Sequence, residues 1–325
     1  MNRRQFIAAG TAGIALAALS RHAAFAQAKT ARIFVGFAAG GVGDLLARNA
    51  AEMMKPRWAP SVLVENRPGA AGRLALDAVH GAEPDGLSLL NTPASLLTIA
   101  PHAYKSPALS AFTDLVPVAT MTDLDFGWVV GPMAPAKTFD EYLKLARDNP
   151  KLASYGTAGV GTPHHLTGFR IGKAAGVDLV HVPYRGGAPA FQDAATGNLP
   201  AFIGALSEPM IKGHRDGSLR VLATTGARRS PFLTDVPTLE EVGFKGAVIT
   251  DWTCLLAPPR TPADIAEQTA RIIIDVINDA AFANSIAKLN MLPLALGPAA
   301  TAARLRTEYD QWAPLVREAG FTLDG

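Results

Sequence analysis

The chain has 325 residues, 49% of them hydrophobic and 18% charged, with 30 Lys and Arg against 28 Asp and Glu. Three of the basic residues, Arg3, Arg4 and Arg21, lie in the first 26 positions, which hold no acid, so the remainder carries 27 basic against 28 acidic residues and a formal charge of −1. That balance gives no electrostatic case for nucleic acid, and the lone Cys254 excludes an intramolecular disulfide and a cysteine-built zinc site.

The opening stretch MNRRQFIAAGTAGIALAALSRHAAFAQA reads as an export signal of twin-arginine type over residues 1–26. Arg3 and Arg4 precede Phe6 in an R-R-x-F pattern, Phe6 to Leu19 is uncharged, and Ala24-Phe25-Ala26 supplies an A-x-A cleavage site. The uncharged run falls short of the ~20 residues that span a bilayer. A retained N-terminal anchor is the alternative, and the lack of a Cys after the apolar run counts against its lipidated form. The mature chain, expected to begin near Gln27, exceeds one comfortable core and predicts two domains or one large one.

A plan of strand, glycine-rich loop and helix then recurs. "ARIFVGF" leads into a helix from Asp44 to about Lys55, "SVLVENR" passes through "PGAAG" into a helix over 73–81, and "LSLLNTP" is a third strand. "PVATM" and "FGWVVG" follow, before a helix over 138–149 opened by a capping box of Thr138 and Glu141. "LASYGT" begins a second set, whose loop "AGVG" enters a helix with Thr162 as N-cap and Pro163 at N1. "LVHVPYR" before "GGAPAFQDAATG", "PAFIGAL" before 207–217, and "LRVLATTG" repeat the plan. Cys254, within "DWTCLLAP", reads as a buried small hydrophobe. Thereafter the chain reads as mostly helical. Thr261-Pro262-Ala263-Asp264 caps a helix with Ile265, Ile272, Ile273 and Val276 on one face, and a last helix covers about 298–319.

This alternation predicts an α/β fold with mainly parallel sheets. Ligands of such sheets bind outside the carboxyl ends of the strands, where the loops at 38–43, 68–72, 156–161 and 185–188 are all glycine-rich. The first and third are far apart in sequence and are expected on different lobes facing a cleft.

The loop "GFAAGGVGD" has the glycines of an anion cradle but no lysine, so it cannot clamp a triphosphate as a P-loop does. A helix N-terminus preceded by glycine offers free N–H groups and about half a positive charge. Gly40, Gly41 and Gly43 are expected to let the backbone turn with φ > 0 and approach a ligand. A carboxylate, with its two oxygens, suits such a neutral cradle. The alternative for this loop alone is a packing turn. Asp44 would repel a bound anion and is expected to cap N–H groups and stiffen the loop. In "TPHH", His164 is the better candidate for ligand contact and His165 the better structural histidine. No H-E-x-x-H, G-x-S-x-G or acidic metal cluster occurs, and no cofactor or metal is expected. Trp252, Tyr184 and Phe37 read as core aromatics that adjoin a loop or a domain crossing.

Several segments carry a resemblance. "VGFAAGGVGDLLARNAAEMM", "VLVENRPGAAGRLALDAV", "PDGLSLL", "YGTAGVGTPHHLTG", "HVPYRGGAPAFQDAATGNL", "LRVLATTGARRSPFLTDVPTLEEVGF" and "APPRTPADI" together resemble the Bug family, the extracytoplasmic solute receptors of tripartite tricarboxylate transporters. The resemblance covers nearly the whole mature chain. It implies a periplasmic, non-enzymatic, monomeric receptor with a two-lobed Venus-flytrap fold of the type II periplasmic-binding-protein kind. One lobe would comprise residues 27–127 plus 250–325 and the other 128–249. It also implies a small organic carboxylate as ligand, gripped by Phe37, Ala38, Ala39, Gly40, Gly41, Gly43 and Asp44 from one lobe. Thr157, Gly159, Val160, Gly161, Thr162, Pro163 and His164 would close from the other, with integral-membrane transporter subunits as partners.

Departures from the family pattern bear on the ligand. Ala38, Ala39 and Gly43 stand where the family usually has prolines and a hydroxyl residue before the Asp. Val160 replaces a polar residue, "AFIGALSEP" with Ala205 has no acid before Glu208, and Arg73 stands in place of the usual Asn. With Trp252 added as a cleft-side aromatic, these changes predict a carboxylate with a more apolar or aromatic body than a simple dicarboxylate. Two other readings share the cleft: a sensory binding protein docking on a membrane sensor, and an exported enzyme using Asp44 or His164 for acid–base work.

Overall fold

The computed structural model describes residues 30–55, 57–69, 72–104 and 114–323, so the expected export signal and Ala70–Ala71 of "PGAAG" lie outside the described residues. The elements follow the glycine-punctuated apolar runs. The first sheet is built from β1 (Thr30–Val35), β2 (Ser61–Asn66), β3 (Ser88–Pro93) and β4 (Val116–Leu124). Helices α1 (Val42–Met54) and α2 (Arg73–His80) follow β1 and β2, and two single turns, α3 (Ser95–Thr98) and α4 (Ala100–Ala103), follow β3. The second sheet takes β5 (Phe126–Val130), β6 (Ser154–Thr157), β7 (Val180–Pro183), β8 (Ala201–Ala205) and β9 (Arg220–Thr224). Its helices are α5 (Phe139–Asp148), α6 (Pro163–Ala175), α7 (Gly187–Thr196) and α8 (Glu208–Asp216). The chain returns through β10 (Asp251–Ala257), α9 (Ala263–Ile277), α10 (Ala280–Ala287), β11 (Leu292–Pro293) and α11 (Pro298–Ala319).

Strand order is β11-β4-β10-β3-β1-β2 in one sheet and β7-β6-β8-β5-β9 in the other. The expectation of mainly parallel sheets is corrected. β1 pairs parallel with β2 and β3, and β6 with β7 and β8. By contrast, β10 runs antiparallel to β3 and β4, β11 to β4, and β5 to both β8 and β9. The antiparallel strands are those beside which the chain changes sheet, a relationship that hydrophobic pattern does not encode.

Both faces of the first sheet are covered, which is why its strands read as unbroken apolar runs. Ile33 and Val35 of β1, Leu89 of β3 and Leu255 of β10 point into one core, whereas Phe34, Leu90, Cys254 and Leu256 point into another. The chain leaves this sheet at Asp125, between β4 and β5, and returns after β9 through residues 225–250. The expected boundary at 127/128 therefore falls inside β5.

Nor does the C-terminal segment stay with the first sheet. Leu305 of α11 packs with Phe34 and Leu90, but Trp312 and Val316 join the core of the second sheet with Trp128 and Tyr155. Pro314 lies inside this helix, between Trp312 and Val316 and so on the second-sheet side of the crossing. Beyond it, the Leu323 N–H donates to Ala103 O at 2.9 Å, and Leu323 bridges to Tyr104. The Thr138 cap forms as expected, accepting Glu141 N–H at 3.2 Å. The Thr261 cap does not: its hydroxyl donates back to Pro258 O at 2.8 Å, leaving Pro262 at the N-cap.

Candidate functional site

The first loop is braced from within. Asp44, at the third position of α1 and 2% exposed, reaches back so that its Oδ2 accepts the Gly40 N–H at 2.8 Å. Arg48, one turn on, donates Nε to the same oxygen at 3.0 Å and lies 2.9 Å from Oδ1. These bonds, Arg48 foremost, hold the Asp44 carboxyl below its ordinary range. Arg48 also donates to Asn66 Oδ1 at 3.1 Å, and Asn66 Nδ2 donates to Phe37 O at 3.1 Å. From β3, buried Asn91 donates to Gly43 O at 2.9 Å. Asp44 is thus a fastening of the loop, as expected. Among the three glycines, Gly40 alone has positive φ (+82°); Gly41 is the N-cap at φ −72° and Gly43 is helical. The N–H groups of Val42, Gly43 and Asp44 find no protein acceptor among the described residues. Ala38, Ala39 and Gly40 are exposed, as is Phe37 at 42%.

Arg73 begins α2 at the end of β2, after Gly72 with φ +100°. A Cβ at Gly72 would lie 3.6 Å from the Phe37 ring, so Arg73 borders the first loop. Its guanidinium sits 5.1 Å from the Tyr104 ring centroid and has no acidic partner among the described residues.

The second loop is also self-fastened, and this uses up several groups expected to meet ligand. Thr157 is fully buried. Its Oγ1 lies 2.7 Å from His181 Nε2, accepts the Gly159 N–H at 3.2 Å and is 3.0 Å from Gly159 O. Thr162 caps α6, accepting His165 N–H at 3.3 Å while donating to Gly159 O at 2.9 Å. Pro163 is buried at N1, and the Gly161 N–H donates to His165 Nδ1 at 3.2 Å. Thr157 and Pro163 are therefore supports and not surfaces. Gly159 (φ +155°) and Gly161 (φ +74°) supply the turn. The Val160 side chain, 38% exposed, and the N–H groups of Val160 and His164 remain open.

His164 packs its ring 4.1 Å from Phe126, whose register partner is the exposed Ala205, so these three gather at one end of the second sheet. The His164 Nδ1 is buried without a partner among the described residues. His165 stacks on His181 at 4.0 Å and meets Phe321 at 4.9 Å. Burial pushes His164 and His165 down to about 4 and, with the neighbouring imidazoles adding, His181 to about 3. All three are neutral at physiological pH.

Trp252 is corrected as a ligand contact. It is 0% exposed in the core of the first sheet, and its Nε1 donates to Glu308 Oε1 at 2.7 Å. The residues that sequence reasoning missed are Arg48, Asn66, Asn91 and His181. Arg48 carried a signal as the i+4 partner of an acid at a helix start. Asn91 carried another, as a polar residue inside an apolar strand.

A cradle of free N–H groups with a fastened acid and a bordering arginine coincides with relatedness along most of the chain. The family described as the tripartite tricarboxylate transporter family receptor matches residues 46–321. The chain belongs to this receptor family. Within it, the protein BugT of Bordetella pertussis is 30% identical over 298 residues, spanning 91% of each chain. The structure of the periplasmic binding protein BugD superposes with a TM-score of 0.76 at 30% identity, over 91% of this chain and 99% of that one. An R. palustris protein solved with adipate gives 0.79 at 25% identity, over 90% and 98%. The receptor shares their two-lobed periplasmic-binding-protein fold.

Proposed function

We propose that this receptor binds a small organic carboxylate between its lobes and presents it to the integral-membrane subunits of a tripartite tricarboxylate transporter. It does so as a monomer in the periplasm, after cleavage near Ala26. The observation that carries the reading is the start of α1. Its N–H groups are unshared, the one nearby acid is turned back onto Gly40 and Arg48, and Arg73 stands beside it without an acidic partner. A bond to a charged group contributes roughly 1.5–3 kcal/mol, so four or five from the two loops suffice for the ~8 kcal/mol of micromolar binding after substantial association costs.

The ligand's body is more apolar than that of a simple dicarboxylate. Phe37, Val42 and Val160 expose side chains at the two loops, and Asp44, Thr157 and Thr162 are already engaged within the loops. The adipate-bound neighbour supports an organic carboxylate as the ligand class. An enzymatic role is disfavoured because the Asp44 carboxylate is occupied by Gly40 and Arg48 and burial leaves His164 a weak base, poorly matched to proton transfer near neutral pH. Closure over the ligand would create the surface that the membrane subunits recognise. Mass spectrometry of the ligand carried through purification, followed by calorimetry with that compound, tests the reading. Stabilisation by C4 dicarboxylates with no response to aliphatic or aromatic monocarboxylates would overturn the apolar-body assignment.

A further inference from the structure

A cavity of about 790 Å³ lies apart from both loops, and none of the candidate ligand residues lines it. Its size falls within the ~300–1,000 Å³ of small-molecule sites. One wall is α11, whose lining residues Arg304, Glu308, Gln311 and Leu315 recur at helical spacing, a stripe about 16 Å long at 1.5 Å per residue. The stripe is polar at the Arg304 end and apolar toward Trp312 and Leu315. Arg170 of α6 and the segment 246–250, which leads into β10, complete the walls.

The charges here are unequally matched. Arg304 donates Nε to Glu308 Oε1 at 3.0 Å and Nη2 to Thr250 Oγ1 at 3.2 Å, and its guanidinium lies 4.6 Å from the Trp252 ring centroid. Glu308 Oε1 also accepts Trp252 Nε1. Arg304 Nη2 also donates to Asp123 Oδ1 at 3.4 Å, so two acids already meet this cation. Arg170 has neither an ion pair nor a side-chain hydrogen bond among the described residues. Arg170 is therefore a cation of this cavity with no bonded acid among the described residues, and Trp312 and Leu315 supply apolar lining.

We propose that this cavity is a second small-molecule site, taking an amphipathic organic monoanion whose acid group meets Arg170 and whose apolar body lies on Trp312 and Leu315. Its walls belong to α6, which packs on the second sheet, to α11, which enters both cores, and to the return crossing. Trp312 and Leu315 belong to the core of the second sheet, so an occupant posed this way rests chiefly on that lobe.

The probe is 4-iodobenzoate, located in crystals by iodine anomalous scattering and titrated by calorimetry. The expected result is iodine between Arg170 and Trp312. Arg170→Met keeps the alkyl stem and the melting temperature, and should weaken this site by ~10-fold or more. Arg73→Ala should leave it unchanged, so loss of binding in that variant bears on the cleft reading alone. Iodine found only beside Phe37, iodine found nowhere, or Arg170→Met binding the probe like the parent protein would each overturn the proposal.

Discussion

The Gly40 N–H points at Asp44 Oδ2 across 2.8 Å, so the acid of the first loop faces inward and the loop presents backbone to its surroundings. An Asp44→Ala variant loses this bond and leaves Arg48 without its partner. It should lower stability by about 1–3 kcal/mol in urea unfolding and weaken carboxylate binding by ~10-fold or more. Asp44→Asn keeps an acceptor and should fall between the two. Parent-like affinity in the Ala variant would show that the loop needs no such brace.

Gly41→Val is expected to abolish binding while the melting temperature stays within a few degrees. Gly41 has an ordinary φ, and its new Cβ would meet only Ala38 O at 3.3 Å, but the branched side chain would stand over the open N–H groups of α1. Gly161→Val is a different experiment. There φ is +74° and a Cβ would lie 3.1 Å from the Phe321 ring, so both stability and binding should fall.

Removing the unpaired cation by Arg73→Gln should reduce affinity by ~10- to 100-fold, the loss expected of one charge-assisted bond. Stability should change little, because among the described residues Arg73 has the Tyr104 ring beneath it and no acidic partner. Titrations at rising ionic strength check the point independently: the parent should lose affinity with salt more steeply than the variant.

The buried histidines set the acid limb of stability. His164, His165 and His181 all titrate below free imidazole, so beneath pH 6.5 the unfolded chain binds protons that the folded chain excludes. Their contribution is fully present above about pH 6.5 and is lost toward pH 4, at up to ~1.4 kcal/mol per pH unit for each histidine. His181→Gln can still bond Thr157 and does not titrate, so its urea midpoint should fall less between pH 6.5 and pH 4.5 than the parent's.

Asp251 has the opposite sign. Burial pushes its carboxyl up to about 7, with Ser95 and the Trp252 N–H partly offsetting the cost. Ionising it destabilises the fold increasingly as pH rises from about 4 to about 7. Asp251→Asn should therefore gain on the order of 1–3 kcal/mol at pH 8 and nothing at pH 4. Equal effects at both values would mean that the carboxyl is not the source.

The fold was legible wherever one strand and its following helix are neighbours in sequence. "ARIFV", its glycine loop and α1 declared themselves because the apolar run, the turn and the first-turn acid are contiguous. The antiparallel pairings of β10 were hidden, since its partners β3 and β4 lie over 120 residues earlier and an apolar run has no direction. Trp252 was misplaced for the same reason: a tryptophan beside a crossing looks available until Glu308, 56 residues later, is seen to take its N–H. The role of Asp44 was readable from local chemistry, whereas the bond from Asn91 to Gly43 required the sheet. Thr157 and Thr162 entered the expected site through the family resemblance, which does not show that both hydroxyls are already bonded to Gly159.

Between the two sheets run two chain crossings and, in addition, α11 with its tail, fixed to one core by Leu305 and to the other by Trp312 and Val316. Three ties between two bodies leave less freedom than a simple pivot. The stretch of this helix between Leu305 and Trp312 spans the two cores, and Pro314, lacking the N–H that would complete the ladder there, lies just beyond it on the second core. The receptor is thus better pictured as two plates joined by a strap as well as by two crossings than as a jaw on a free axle.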